Sequence, residues 1–138
     1  MTQAPRAEPP EQIDVVVADD EVDIRLLLKL QLRQAGINVV GEAADGIEAI
    51  EQCVALQPHV VVLDLLMPRL SGFDAIDELK ERSPEVRIVA YSAVAGEFAR
   101  TEMARHGIPL RLKNGDAEPL VRTIRELAGH PADEHEVR

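Results

Sequence analysis

Short apolar runs alternate along this chain with longer segments whose apolar residues recur every three or four positions. The runs are "IDVVVA" (13–18), "INVVGEA" (37–43), "HVVVLD" (59–64), "VRIVAY" (86–91) and "IPLRLK" (108–113). Each predicts a strand. The first is compact and β-branched, as expected of a strand buried on both faces. The third is the strongest of the five and 37–43 is weaker. Pro109 fits the first residue or an edge position of a short fifth strand.

The intervening segments predict helices. "EVDIRLLLKLQLRQAG" (21–36) repeats Ile24, Leu27, Leu28, Leu32 and Ala35 at helical spacing and stops at Gly36. "GIEAIEQCVALQ" puts Ile47, Ile50 and Val54 on one face and ends before Pro58. A third helix is predicted over 72–82, with Phe73, Ile76 and Leu79 facing in and Pro84 just beyond. The stretch 95–107 reads as a helix with a thin stripe of Phe98, Ala99 and Met103. A last helix over 116–129 carries Leu120, Val121, Ile124 and Leu127, with Asp116 as its N-cap.

Strands separated by helices imply a parallel sheet with right-handed crossovers and helices on both faces. The fold class is therefore α/β: a three-layer, doubly wound (βα)5 domain in the flavodoxin-like strand order 2-1-3-4-5. The chain's 138 residues suit one core, and the domain is expected over 12–128. Residues 1–11 are polar and Pro-rich, as in a disordered tail. The polar tail 129–138 is too short to form an output domain.

Composition removes several function classes. Aromatic residues make up 2% of the chain, which leaves Val, Leu, Ile and Ala to build the core and little for base stacking. The net charge is −10 and no Lys/Arg cluster stands out, so direct nucleic-acid binding is not expected. Cys53 is the only cysteine, which excludes an intrachain disulfide and suits a reducing cytosol. It reads as a buried, inert thiol. No apolar run approaches the ~20 residues that span a bilayer. The expected location is cytoplasmic.

Chemistry gathers at the strand ends. In such a fold the carboxyl ends of the strands share one edge, and ligands bind at the switch point between strands 1 and 3. Strand 1 runs into Asp19-Asp20, strand 3 into Asp64, strand 4 into Tyr91-Ser92 and strand 5 into Lys113. Strand 2 ends in Glu42-Ala43 and offers nothing of the kind. Taken alone, each residue has an ordinary explanation as a helix cap, a loop acid or a solvated end. Together they put three carboxylates, a hydroxyl and an ammonium in one crevice. Like charges so close repel, and a hard cation relieves them. An oxygen-only donor set suits Mg²⁺, which keeps several waters and leaves room for a phosphoryl oxygen. Asp64, on the central strand, is the natural nucleophile, with Ser92 and Lys113 placed to meet phosphoryl oxygens.

"VVVADDEVDIRLLL", "VVVLDLLMPRLSGFDAI", "IVAYSA" and "LRLK" resemble the signature blocks of response-regulator receiver domains, over about residues 12 to 128. The Asp-x-x-Met-Pro-x-x-x-Gly string after an Asp-Asp pair is the most specific part. "VVGEAADGIEAIEQC" is most similar to receivers that precede a helix-turn-helix domain. The resemblance implies that Asp64 accepts phosphate from a histidine kinase. It implies Mg²⁺ bound by Asp20 and Asp64, by Asp19 mostly through water, and by the backbone carbonyl of Leu66. Ser92 and Lys113 would contact the phosphoryl group, Ala93 would leave space for it, and Pro68 and Gly72 would shape the loop. One position departs from the family: Leu110 stands three residues before the Lys, where a Tyr or Phe usually reorients as the Ser or Thr moves. Tyr91 does not replace it in sequence position, though its ring is expected to report on the same face.

The function expected is thus a two-component receiver, phosphorylated on Asp64 and signalling through its helix 4–strand 5–helix 5 face. Its partners would be a histidine kinase or phosphotransfer protein and a downstream protein, and it would be a monomer or weak homodimer. A stand-alone receiver is expected. The alternatives are a fragment of a helix-turn-helix transcription factor and a degenerate receiver that binds partners without phosphate. A haloacid-dehalogenase-type hydrolase also uses an Asp after a strand, but it needs a second Asp two residues on, where this chain has Leu66. Beyond its own phosphorylation and dephosphorylation, no enzyme activity is expected.

Overall fold

The computed structural model describes residues 9–93 and 96–129. The tails expected over 1–11 and 129–138 fall almost wholly outside these residues. Five strands and five helices alternate in chain order. The strands are β1 (Asp14–Ala18), β2 (Asn38–Ala43), β3 (Val60–Leu63), β4 (Arg87–Ser92) and β5 (Leu110–Leu112). The helices are α1 (Val22–Gln34), α2 (Gly46–Leu56), α3 (Gly72–Arg82), α4 (Glu97–His106) and α5 (Glu118–Leu127). All pairings are parallel and the order is β2-β1-β3-β4-β5, the doubly wound order expected.

Successive side chains of a strand point to opposite faces, so each central strand feeds two cores. Val16, Ala18, Val61, Leu63 and Ala90 face α2, α3 and α4, where they meet Ile50, Cys53, Ile76, Leu79 and Met103. Val15, Val17, Val60, Val62 and Val89 face α1 and α5, against Leu28, Leu32, Leu120 and Ile124. The apolar runs are continuous because neither face of the sheet meets water.

The helices are rolled differently from the reading of their spacing. On α1, Leu28 and Leu32 are buried, but Leu27 is 45% exposed. The inward face of α2 is Gly46, Ala49, Ile50 and Cys53. These small residues let α2 approach the sheet closely, which leaves Ile47 outside. On α4, Ala99 and Met103 face the core while Phe98 is 68% exposed. Phe98 lies over Phe73 of α3, with ring centroids 5.4 Å apart. Asp116 is not the N-cap of α5; Ala117 is, and the Asp116 carboxylate instead accepts the Glu118 N–H at 3.1 Å. Pro109 lies just before β5, where its carbonyl accepts from the Ala90 N–H at 2.9 Å. Cys53 is fully buried, and burial pushes its thiol up to about 12.

Candidate functional site

Backbone hydrogen bonds at the carboxyl edge set the geometry. The Asp64 N–H donates to the Ala18 carbonyl at 2.9 Å, and the Asp19 N–H to that of Ala43 at 2.9 Å. The residue after β3 is thereby tied to the last residue of β1. The Lys113 N–H donates to the Ser92 carbonyl at 3.0 Å, so the residue after β5 is tied to the last residue of β4. Parallel register thus lines up residues that are far apart in sequence.

The side chains follow. Oxygens of Asp19, Asp20 and Asp64 lie within 4.8 Å of one another. Asp19 and Asp64 are buried, and Asp20 is exposed. Lys113 Nζ reaches Asp19 Oδ2 at 2.5 Å and Asp64 Oδ2 at 3.0 Å. Burial pushes the Asp64 carboxyl above the usual carboxylate range, with the charge of Asp19 adding to it and Lys113 opposing it. Burial alone would lower the Lys113 ammonium, but its two carboxylate partners hold it above its ordinary value.

The other predicted residues take definite places. Ser92 is buried at the end of β4 and Ala93 follows it at the surface. The Leu66 N–H donates to Asp64 Oδ1 at 3.3 Å and its side chain points to solvent. Leu110, half-buried at the start of β5, packs against the α2–α3–α4 core. Tyr91 belongs to the α1–α5 core and so does not share that face: Leu110 pairs with Ala90, and Tyr91, the next residue along β4, points to the opposite side. Burial raises the Tyr91 phenol.

The donors match a hard, oxygen-seeking cation: three carboxylates, with no His or Cys among them. Asp19 Oδ2 is fully buried and lacks a hydrogen bond of acceptable geometry, although Lys113 stands against it as an ion pair. A buried carboxylate oxygen left this way would gain from a cation.

Two supports were not legible in the strand ends. Asp45, buried at the N-cap of α2, accepts the Glu48 N–H at 2.9 Å, while Glu48 reaches back to the Ala44 N–H at 2.8 Å. Asp45 also holds Arg69 of the loop after β3 through Nε at 2.7 Å and Nη2 at 2.6 Å. The Asp-x-x-Glu spacing signals the cap, but nothing local signals Arg69, which lies 24 residues away. The second support is Arg25, whose guanidinium reaches the Asp19 carbonyl.

The family model for the response regulator receiver domain matches residues 15–125. The chain belongs to this family and is a receiver domain of the two-component response regulators. It is 36% identical over 93 residues to the chemotaxis protein CheY of Thermotoga maritima, covering 67% of this chain and 78% of CheY. It is 35% identical over 128 residues to protein-glutamate methylesterase/protein-glutamine glutaminase 4 of Geobacter metallireducens, covering 91% of this chain but 34% of that protein. The chain therefore spans most of the first relative's length and about a third of the second's. Among solved structures, the response regulator domain of Thermotoga maritima CheB superposes with a TM-score of 0.78 at 29% identity, covering 86% of this chain and 97% of that one. Among the described residues, no helix is long and apolar enough to cross a membrane.

Proposed function

We propose that Asp64 accepts a phosphoryl group from a histidine kinase or phosphotransfer protein in a Mg²⁺-dependent reaction, and that the phosphorylated domain signals to a protein partner in the cytoplasm. One observation carries the reading: Asp19, Asp20, Asp64 and Lys113 share a single pocket at the switch point of the sheet. Asp19, Asp20, Asp64 and the Leu66 carbonyl would hold the cation. When bound, it would offset the charge of three carboxylates and of the incoming phosphoryl oxygens.

The chain's own groups account for the rest. A carboxylate oxygen of Asp64 attacks phosphorus. The bond from phosphorus to the donor imidazole nitrogen breaks, and that nitrogen keeps the electron pair. The product is an acyl phosphate, which adds about −1.5 to −2 charge at the end of β3. Lys113 already bonds Asp64 and stays to neutralise a phosphoryl oxygen. Ser92 donates its hydroxyl to another, and the small side chain of Ala93 keeps the approach open. These interactions exist only after transfer, which is what allows them to shift the equilibrium of the α4–β5–α5 face. Leu110 has no hydroxyl or ring to trade partners, so its part in switching is limited to apolar packing.

Incubation with an acyl phosphate and Mg²⁺, followed by intact-mass measurement, tests the reading. The wild-type chain should gain one phosphoryl group and Asp64→Asn none. Equal labelling of the two would refute the assignment of Asp64.

A further inference from the structure

Arg25 lies in the first turns of α1, and its side chain is only 16% exposed. Its Nη1 donates to the backbone carbonyl of Asp19 at 2.6 Å, and its Nε to Glu42 Oε1 at 3.0 Å. Lys29, one turn further on, holds the other Glu42 oxygen at 2.6 Å. These contacts hold the Glu42 carboxyl below its usual range, the Lys29 hydrogen bond contributing most and partial burial opposing. Glu42 is the next-to-last residue of β2, the strand whose end contributes nothing to the acidic pocket. Its carboxylate anchors Arg25 instead.

The polar atoms of Asp19 show what this anchoring does. Its N–H is taken by Ala43 and its Oδ1 by the Glu21 N–H at 2.9 Å. Its Oδ2 faces Lys113. Its carbonyl is held by Arg25, the one side-chain donor to this backbone among the described residues. That carbonyl belongs to the rigid peptide plane that leads into Asp20. The Asp20 side chain has no hydrogen bond or ion pair among the described residues, so its carboxylate is aimed by the backbone that carries it together with its own rotamer. Turning the Asp19–Asp20 peptide would swing that carboxylate out of the group of three.

We infer that Arg25 is a positioning residue for the cation: anchored to the end of β2 by Glu42, it sets the peptide that points Asp20 at the pocket. The inference rests on the function proposed above, and Arg25 touches neither cation nor phosphate. Groups that orient metal ligands alter affinity by about 10- to 100-fold when removed.

The test compares the full chain with Arg25→Met, Arg25→Lys and Lys29→Met, by calorimetric Mg²⁺ titration and by acyl-phosphate labelling over a range of Mg²⁺. Lys29→Met also breaks a bond to Glu42 but leaves the Asp19 carbonyl held, so it reports the purely structural cost. Arg25→Met should raise the Mg²⁺ dissociation constant about tenfold. Lys29→Met should change it less than about twofold, and Arg25→Lys should lie between. The Mg²⁺ concentration that gives half-maximal labelling should shift in the same order. Equal Mg²⁺ affinities for Arg25→Met and Lys29→Met would overturn the inference and leave the proposed function standing. A wild-type chain that takes up no Mg²⁺ would remove both.

Discussion

Asp64, Asp19 and Lys113 are coupled through proximity. The ammonium cannot fully offset two buried carboxylates and a third at the rim, and this imbalance invites a cation. Asp45 behaves in the opposite way. Its burial would raise its carboxyl, but the Glu48 N–H and the Arg69 guanidinium outweigh that and hold it below its ordinary 3.8. A carboxyl lowered by folding contributes stability that is fully present above its unfolded value. That stability is lost as pH falls through the lower, folded value. Thermal unfolding of wild type and Asp45→Asn, followed as the pH is lowered, should therefore show two curves that converge below pH 3.8. Above that pH the substitution should cost about 0.2–1 kcal/mol, because Asn still caps the helix and only the charge pairing with the half-exposed Arg69 is lost. A constant gap between the curves at every pH would contradict the pairing.

The loop from Asp64 to Gly72 joins β3 to α3 and carries the Asp64 carboxylate. It is clamped at three points. Arg69, in the left-handed region at φ 64°, is held by Asp45; the Gly46 N–H donates to the Leu70 carbonyl at 2.7 Å; and the Gly72 N–H donates to the Leu65 carbonyl at 3.0 Å. A Cβ on Gly72 would overlap the carbonyl oxygen of Asp64 and lie 2.9 Å from Leu65 Cα. Backbone cannot step aside as a side chain can. Gly72→Ala should therefore destabilise the domain by about 1–3 kcal/mol in urea unfolding. Gly96→Ala, with nothing within 4 Å of the added carbon, should stay close to wild type. Equal stabilities for the two variants would show that the loop is free to move.

For the molecule as a whole, a ligand that binds only the folded chain adds stability by mass action. Mg²⁺ at ten times its dissociation constant should add about 1.4 kcal/mol and raise the melting temperature by about 5 °C. Asp20→Asn should abolish that rise, since it removes the one exposed carboxylate of the three. An unchanged melting temperature for wild type with and without Mg²⁺ would argue against a cation site. The net charge of −10 makes a general salt effect the natural confounder, and a matched concentration of a singly charged salt controls for it.

The strand order, the two-faced core and the acids at the strand ends were legible because each depends on local signals. A run such as "VVVL" has no polar face to offer water, and a strand followed by a helix constrains the next strand to lie parallel. The roll of the helices was not legible. Leu27, Ile47 and Phe98 are apolar yet point outward, because small residues such as Ala49 and Ala99 win the inward positions by allowing closer approach. Apolar spacing records which residues can be buried; depth of packing chooses among them. The clamps were equally hidden. Arg69 meets Asp45 across 24 residues, and Arg25 meets Glu42 across 17. A charged side chain carries no mark of its partner, and the partner is chosen only when neighbouring strands and loops close around it. Chain order was thus enough to supply the acids and the lysine, whereas their aim came from contacts that exist only in the folded sheet.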